Sequence, residues 1–244
     1  MSDKILSGSH APETNLDRPL YTPIKRRSFF MYAGATAGAT ALVLAGCKDD
    51  NNNMPGMVNV GSGDVGVLNY AYALEQLEAD FYTQVRSGSY YTGLAAGSAE
   101  KLVFDDLYYH EVIHREFLKA AITGAGATPI KPLTTVYPTG TFNSKATVLA
   151  TAKAFEDLGV AAYNGAGRRI SSPNYLVIAG KIVSVEARHA ALIRDLVSEG
   201  TFVGSDVVTV GSASTEISKD PATVVATANT FLAEGSKLDV SGIQ

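Results

Sequence analysis

Four stretches of this chain repeat apolar residues every three to four positions, the period of a helix with one buried face. The first spans about 64–86, with Asp64 as its N-cap. It carries Leu68, Ala71, Glu75, Tyr82 and Val85 to one side before Ser87-Gly88-Ser89 stops it. The second starts near Ser98, where Lys101 three residues on rules out a capping box. It carries Phe104, Leu107, Glu111, His114 and Leu118 inward and ends at Gly124. The third starts near Asn143 or Ser144, aligns Leu149, Ala152, Glu156, Val160 and Tyr163, and is closed by Gly165 and Gly167. The fourth opens at Ser172-Pro173, proline suiting a first turn, and aligns Ile178, Ile182, Glu186, His189 and Ile193. These elements predict an all-α fold, a four-helix bundle with a short C-terminal extension.

The connections set the topology. Residues 87–97 and 165–173 are short enough to join antiparallel neighbours. The segment 124–143 holds Pro129, Pro132 and Pro138 and is about twenty residues long, uncommon inside a compact domain. One long crossover between helices two and three accounts for it, because it lets those two helices run parallel. In the tail, 202–210 predicts a short extended segment, and Asp220-Pro221 opens a helix reaching residues 231–232. This extension, 201–244, is expected to cover apolar surface of the bundle, with no chemistry of its own.

Charged residues on the apolar faces carry the chemistry. Glu111-Val112-Ile113-His114 and Glu186-Ala187-Arg188-His189 are two copies of Glu-x-x-His, and residues three apart share a helix face. One copy alone marks no more than a solvated helix face. Here each copy is preceded by an isolated helical glutamate, Glu75 or Glu156, and each of these has a tyrosine seven residues on, Tyr82 or Tyr163. Seven residues are about two turns, so each tyrosine lies on the face of its glutamate, where its hydroxyl can reach a ligand carboxylate. Four carboxylates and two imidazoles can hold two metal ions inside a bundle. Buried glutamates must in any case be paired, protonated or metal-bound. Oxygen-rich donors with few imidazoles and no thiolate suit iron or manganese rather than structural zinc. Glu78 lies one turn after Glu75 on nearly the same face and could add to it as an extra ligand or replace it, but its counterpart in the second half is Gly159, so the repeat favours Glu75. His110, about 100° around the helix from Glu111, is read as a surface or supporting group. Asp80, Asp106, Asp157 and Asp195 are candidate partners for the ligand histidines.

With these residues in view, the stretch Leu68-Asn69-Tyr70-Ala71-Tyr72-Ala73-Leu74-Glu75-Gln76-Leu77-Glu78-Ala79-Asp80-Phe81-Tyr82 resembles the first helix of the exported ferritin-like domain family, which includes desiccation-related proteins. The resemblance covers about 64–198, with a weaker echo in the tail, and all six ligand positions hold the expected residue type. It implies a ferritin-like bundle, spanning 64–200, with a dinuclear centre of two iron or manganese ions. It further implies that Glu111 and Glu186 bridge the ions, Glu75 and Glu156 are terminal ligands, and His114 and His189 each hold one ion. The implied activity is redox chemistry on dioxygen or peroxide, ferroxidase-like or peroxidase- and catalase-like, with Tyr82 and Tyr163 as catalytic-site tyrosines. The desiccation-related relatives suggest the alternative, a non-catalytic envelope protein that protects against stress and keeps only a structural or vestigial metal site.

Ahead of the bundle, Lys25-Arg26-Arg27-Ser28-Phe29-Phe30 reads as a twin-arginine motif. The apolar run 31–46 behind it is too short and too weakly hydrophobic to span a bilayer. It ends in Leu44-Ala45-Gly46-Cys47, a lipobox, so residues 1–47 are expected to be a lipoprotein signal with Cys47 lipidated. The expected location is the cell envelope, periplasmic or on the surface, with the membrane as a partner through that anchor. Residues 48–63 read as a flexible tether. Removing the first 46 residues takes away three acidic and five basic residues, leaving 21 acidic and 15 basic. A net negative chain argues against nucleic acid as a partner. Assembly into a homo-oligomer is left open by the sequence.

Overall fold

The computed structural model describes residues 56–244 apart from 210, 212 and 213. The signal segment, Cys47 and the first part of the tether lie outside the described residues. The chain forms β1 (Val58–Asn59), α1 (Gly63–Ser87), α2 (Ser89–Gly93), α3 (Ala99–Gly124), α4 (Lys145–Gly167), α5 (Pro173–Val197), α6 (Pro221–Ala228) and β2 (Leu238–Asp239). The architecture is an all-α helical bundle. Helices α1 and α3 pack as one hairpin and α4 and α5 as another.

Local chemistry explains most helix ends. The hydroxyls of Ser98 and Ser144 accept from the backbone N–H of Lys101 and Thr147, each satisfying one donor that a helix start leaves without an intrahelical partner. Pro173 sits in the first turn of α5, where its missing N–H costs nothing. Asp64 differs from expectation: Ser62 is the N-cap of α1, and Asp64 lies in the first turn. Its carboxylate accepts from the N–H groups of Ser171 and Ser172, at 2.7 and 2.9 Å, and so ties the start of α1 to the α4–α5 turn. Gly165 is also different. It lies inside α4 rather than closing it, and a Cβ there would sit 1.7 Å from the carbonyl oxygen of Lys219. Only glycine lets the tail cross the helix so closely.

Helix α1 is the centre of the molecule, buried at every position from Gly66 to Ala79. The crossover 125–144 lies along it, held by polar side chains that the helix carries on that side. Asn69 Oδ1 accepts from Ile130 N–H at 3.0 Å, Gln76 Oε1 from Leu133 N–H at 2.9 Å, and Asp80 from Thr135 and Tyr137 hydroxyls at 2.6 and 3.1 Å. The crossover in turn meets the tail through backbone bonds between Val136 and Phe231 and between Ala233 and Thr134.

The ends of the described chain meet. Val58 and Asn59, read from sequence as tether, pair in parallel with Leu238 and Asp239, and Val58 and Val60 are buried. The apolar residues Met57, Val58 and Val60 are too few to signal a strand, and their partner lies far along the chain. The tail helix α6 is shorter than predicted and gives way to a 3-10 turn at Asn229–Phe231. It buries Val224, Val225 and Ala228. Of the predicted extended segment 202–210, the described residues 202–209 are mainly bends and turns, with a single bridge from Val208 to Glu216. Among the described residues no helix is long and apolar enough to cross a membrane.

Candidate metal centre

Each long helix delivers its acidic residue to one place because that residue occupies an apolar-face position. Glu75 of α1, Glu111 of α3, Glu156 of α4 and Glu186 of α5 are wholly buried. The two Glu-x-x-His helices place their imidazoles among these carboxylates in matching fashion. His114 Nδ1 lies 2.9 Å from Glu186, 3.5 Å from Glu75 and 3.5 Å from Glu111. His189 Nδ1 lies 2.7 Å from Glu111, 3.5 Å from Glu156 and 3.6 Å from Glu186. The result is two clusters, Glu75, Glu111, His114 and Glu186 against Glu111, Glu156, Glu186 and His189, each offering ligand atoms within 4.8 Å of one another. Glu111 and Glu186 belong to both.

The tyrosines join the halves reciprocally. Tyr82 of α1 donates its hydroxyl to Glu156 of α4, and Tyr163 of α4 donates to Glu75 of α1. Each tyrosine shares a face with its own helix's glutamate, yet its hydroxyl reaches across the bundle to the glutamate of the other half. Both phenols are pushed well above their ordinary value, by burial first and by the neighbouring carboxylates next, so both stay protonated donors at neutral pH.

Several oxygens remain unsatisfied. Glu75 Oε2, Glu156 Oε2, both oxygens of Glu111 and of Glu186, and Nδ1 of both histidines make no hydrogen bond of proper geometry, short as their separations are. Buried polar atoms are nearly always partnered, so a ring of unpartnered acceptors converging on one space is shaped for cations. The electrostatics agree. Burial, then the Glu186 carboxylate, raise Glu111 well above the ordinary range, against the pull of the two imidazoles. Glu186 goes the other way, because His114 and His189 outweigh its burial. Burial opposes the charged form of His114, but the carboxylates of Glu111, Glu186 and Glu75 prevail and push it up to about 12. His189 rises likewise against burial through Glu156, Glu111 and Glu186. Protons on the imidazoles thus take the part of cations among the carboxylates.

The structure sharpens the sequence reading in three places. Glu75 and Glu78 are both buried on α1, and Glu78 is only 4 % exposed. None of the four aspartates forms a described contact with a ligand histidine. Asp80 holds the crossover, Asp157 is bound by Arg194 at 2.7 and 2.8 Å, and Asp195 accepts from Gly200 N–H. The partner of His189 is instead His110, whose Nδ1 lies 2.8 Å from His189 Nε2, with the rings stacked at 5.1 Å. The offset of about 100° between His110 and Glu111 leaves His110 as either a surface or a supporting group, and the structure places it in contact with His189. The counterpart of His110 in the second half is Val185, so no repeat marks it.

Two helical hairpins are joined by a long crossover, and a carboxylate from every long helix and imidazoles from α3 and α5 converge in the core in groups that could hold a metal ion. The model of the ferritin-like domain matches residues 63–199, more than half of the chain, and the protein belongs to that family. No curated protein matches the chain.

Proposed function

We propose that the chain holds two iron or manganese ions, one in each cluster, and carries out redox chemistry on dioxygen or peroxide in the cell envelope. The observation that carries this reading is the sharing of Glu111 and Glu186 between two otherwise separate ligand groups. In it, Glu111 and Glu186 would be shared by both ions, Glu75 and Glu156 would each serve one as a terminal ligand, and His114 and His189 would each hold one ion. Four carboxylates then balance two divalent cations, and neutral imidazoles complete each set. Such ions would supply the electrons for reducing dioxygen or peroxide. Tyr82 and Tyr163 hold the terminal carboxylates in place and keep a proton beside them.

An apolar cavity lined by Leu74, Leu118, Tyr163 and Ile182 runs up to Tyr163, whose hydroxyl binds Glu75. A dry space of this kind suits dioxygen better than an ionic substrate. The test is elemental analysis of the chain purified without added metal, followed by assay of oxygen and peroxide consumption. Two ions per chain with turnover support the reading. Two ions without turnover favour the protective, non-catalytic alternative, and a chain that takes up no ion refutes the dinuclear reading and leaves the protective alternative in its place. Envelope location through the twin-arginine signal is proposed on the Cys47 lipobox. Cys47→Ser is expected to move the chain out of the membrane fraction or to leave it unprocessed, and a wild-type chain in the soluble fraction and free of lipid would count against the anchor.

A further inference from the structure

Glycine inside a buried helix costs roughly 1 kcal/mol relative to alanine, so Gly159 in the middle of α4 calls for a reason. A Cβ at that position would lie 3.0 Å from Glu78 Oε1 and 3.7 Å from Glu186 Oε2. The glycine therefore leaves room for the carboxylate of Glu78, reaching across from α1. That carboxylate is 4 % exposed, and its Oε2 has no hydrogen-bond partner. Its Oε1 and Glu186 Oε2 both lie within 4 Å of one point. Glu186 Oε2 is the oxygen that faces His189, at 3.6 Å. Glu78 thus comes from the helix of the first cluster and is directed at the second.

We infer that Glu78 is a fifth carboxylate of the metal centre, serving the ion on the His189 side, and that Gly159 exists to admit it. This deepens the dinuclear reading and rests on it. The repeat is broken here in one direction only: the first half contributes two acidic residues one turn apart, the second half one glutamate and a vacancy. The two ion positions are therefore inequivalent. Five carboxylates also exceed the charge of two divalent ions by one, which draws cations in more strongly.

The inference is tested by titrating manganese(II) alone into the metal-free full chain by calorimetry. Wild type is expected to take two ions in two unequal steps. Glu78→Gln, which keeps shape and removes charge, is expected to weaken one step by roughly 10- to 100-fold, with metal-free melting unchanged or raised. The double variant Glu78→Gly with Gly159→Glu supplies the carboxylate from the other helix and is expected to recover most of the lost affinity. Manganese affinity in Glu78→Gln equal to wild type overturns the inference while leaving the dinuclear reading intact. Lower metal-free stability in Glu78→Gln with no recovery in the double variant assigns Glu78 to packing and also overturns it. A wild-type chain that takes no manganese removes the dinuclear reading and this inference together.

Discussion

At the scale of single residues, the cross-bundle tyrosines show what a buried carboxylate requires. Glu156 and Glu75 each have one oxygen satisfied by a phenol from the opposite half and one left facing the cluster. Tyr82→Phe should therefore leave a buried carboxylate oxygen without a donor and lower the stability of the metal-free chain by roughly 1–3 kcal/mol. Tyr163→Phe should cost a similar amount, because the two bonds are related by the repeat. Urea unfolding of both variants checks this, and a cost in one only would mean that the halves do not bear load alike. The same residues set the pH response. Glu78, Glu111 and Glu156 have folded values raised above their unfolded ones, chiefly by burial, so the native state holds extra protons above about pH 4.5. Stability from these groups falls as pH rises. His114 is raised to about 12, so its contribution, complete below its unfolded value of 6.5, is lost on the alkaline side. Glu186, lowered, contributes above about 4.5 and loses its contribution only in acid. The metal-free chain should thus be most stable near pH 5 and weaken steadily toward pH 9. Denaturant midpoints measured across that span should show the fall, and a midpoint that rises toward neutrality would contradict it.

At the scale of elements, the long helices were legible because their ends carry their own signals and their faces their own period. Ser98, Ser144 and Pro173 mark helix starts through local hydrogen bonding and fixed φ, which need no partner elsewhere. The six cluster residues were legible for a related reason: spacing along a helix translates directly into a shared face. What stayed hidden depends on distant partners. Helix α1 has no exposed face between Gly66 and Ala79, so its pattern could not tell Glu75 from Glu78. Val58 and Asn59 become a strand only because Leu238 and Asp239 come to them. Gly165 read as a helix terminator, yet its role is to let Lys219 pass, with the Lys219 N–H donating to Ala161 O at 3.0 Å. Gly165→Ala should accordingly push the tail away from α4 even though alanine is the better helix former. The expected result is a loss of at least about 1 kcal/mol, in line with forced overpacking, together with faster proteolysis around residues 215–220. Unchanged protection of that segment would show that the tail can bend aside without cost.

At the scale of the whole molecule, the fold gathers five buried glutamates in its core and relies on something positive to keep them there. Protonated histidines supply part of this, but they share two protons among carboxylates from every long helix. A ligand that binds only the native state stabilises it by about 2.7 kcal/mol when present at a hundred times its dissociation constant. For a domain of this size each kcal/mol moves the melting temperature by about 2–4 °C. Chelation should therefore lower the melting temperature of the loaded chain by roughly 5–10 °C. The sharing of ligands predicts how variants differ. Glu111→Ala and Glu186→Ala each damage both clusters and should abolish the metal dependence of melting altogether. Glu75→Ala and Glu156→Ala each touch one cluster and should leave a single ion and a smaller shift. Removing Glu111 also removes one buried carboxylate from the neighbourhood of Glu186, so metal-free Glu111→Ala should melt at or above the metal-free wild type. Calorimetric scans with iron(II), manganese(II) and chelator decide the matter. Equal metal dependence in the Glu75 and Glu111 variants would mean that the clusters do not share their ligands, and a wild-type melting temperature indifferent to all three additions would mean that protons alone hold the core together.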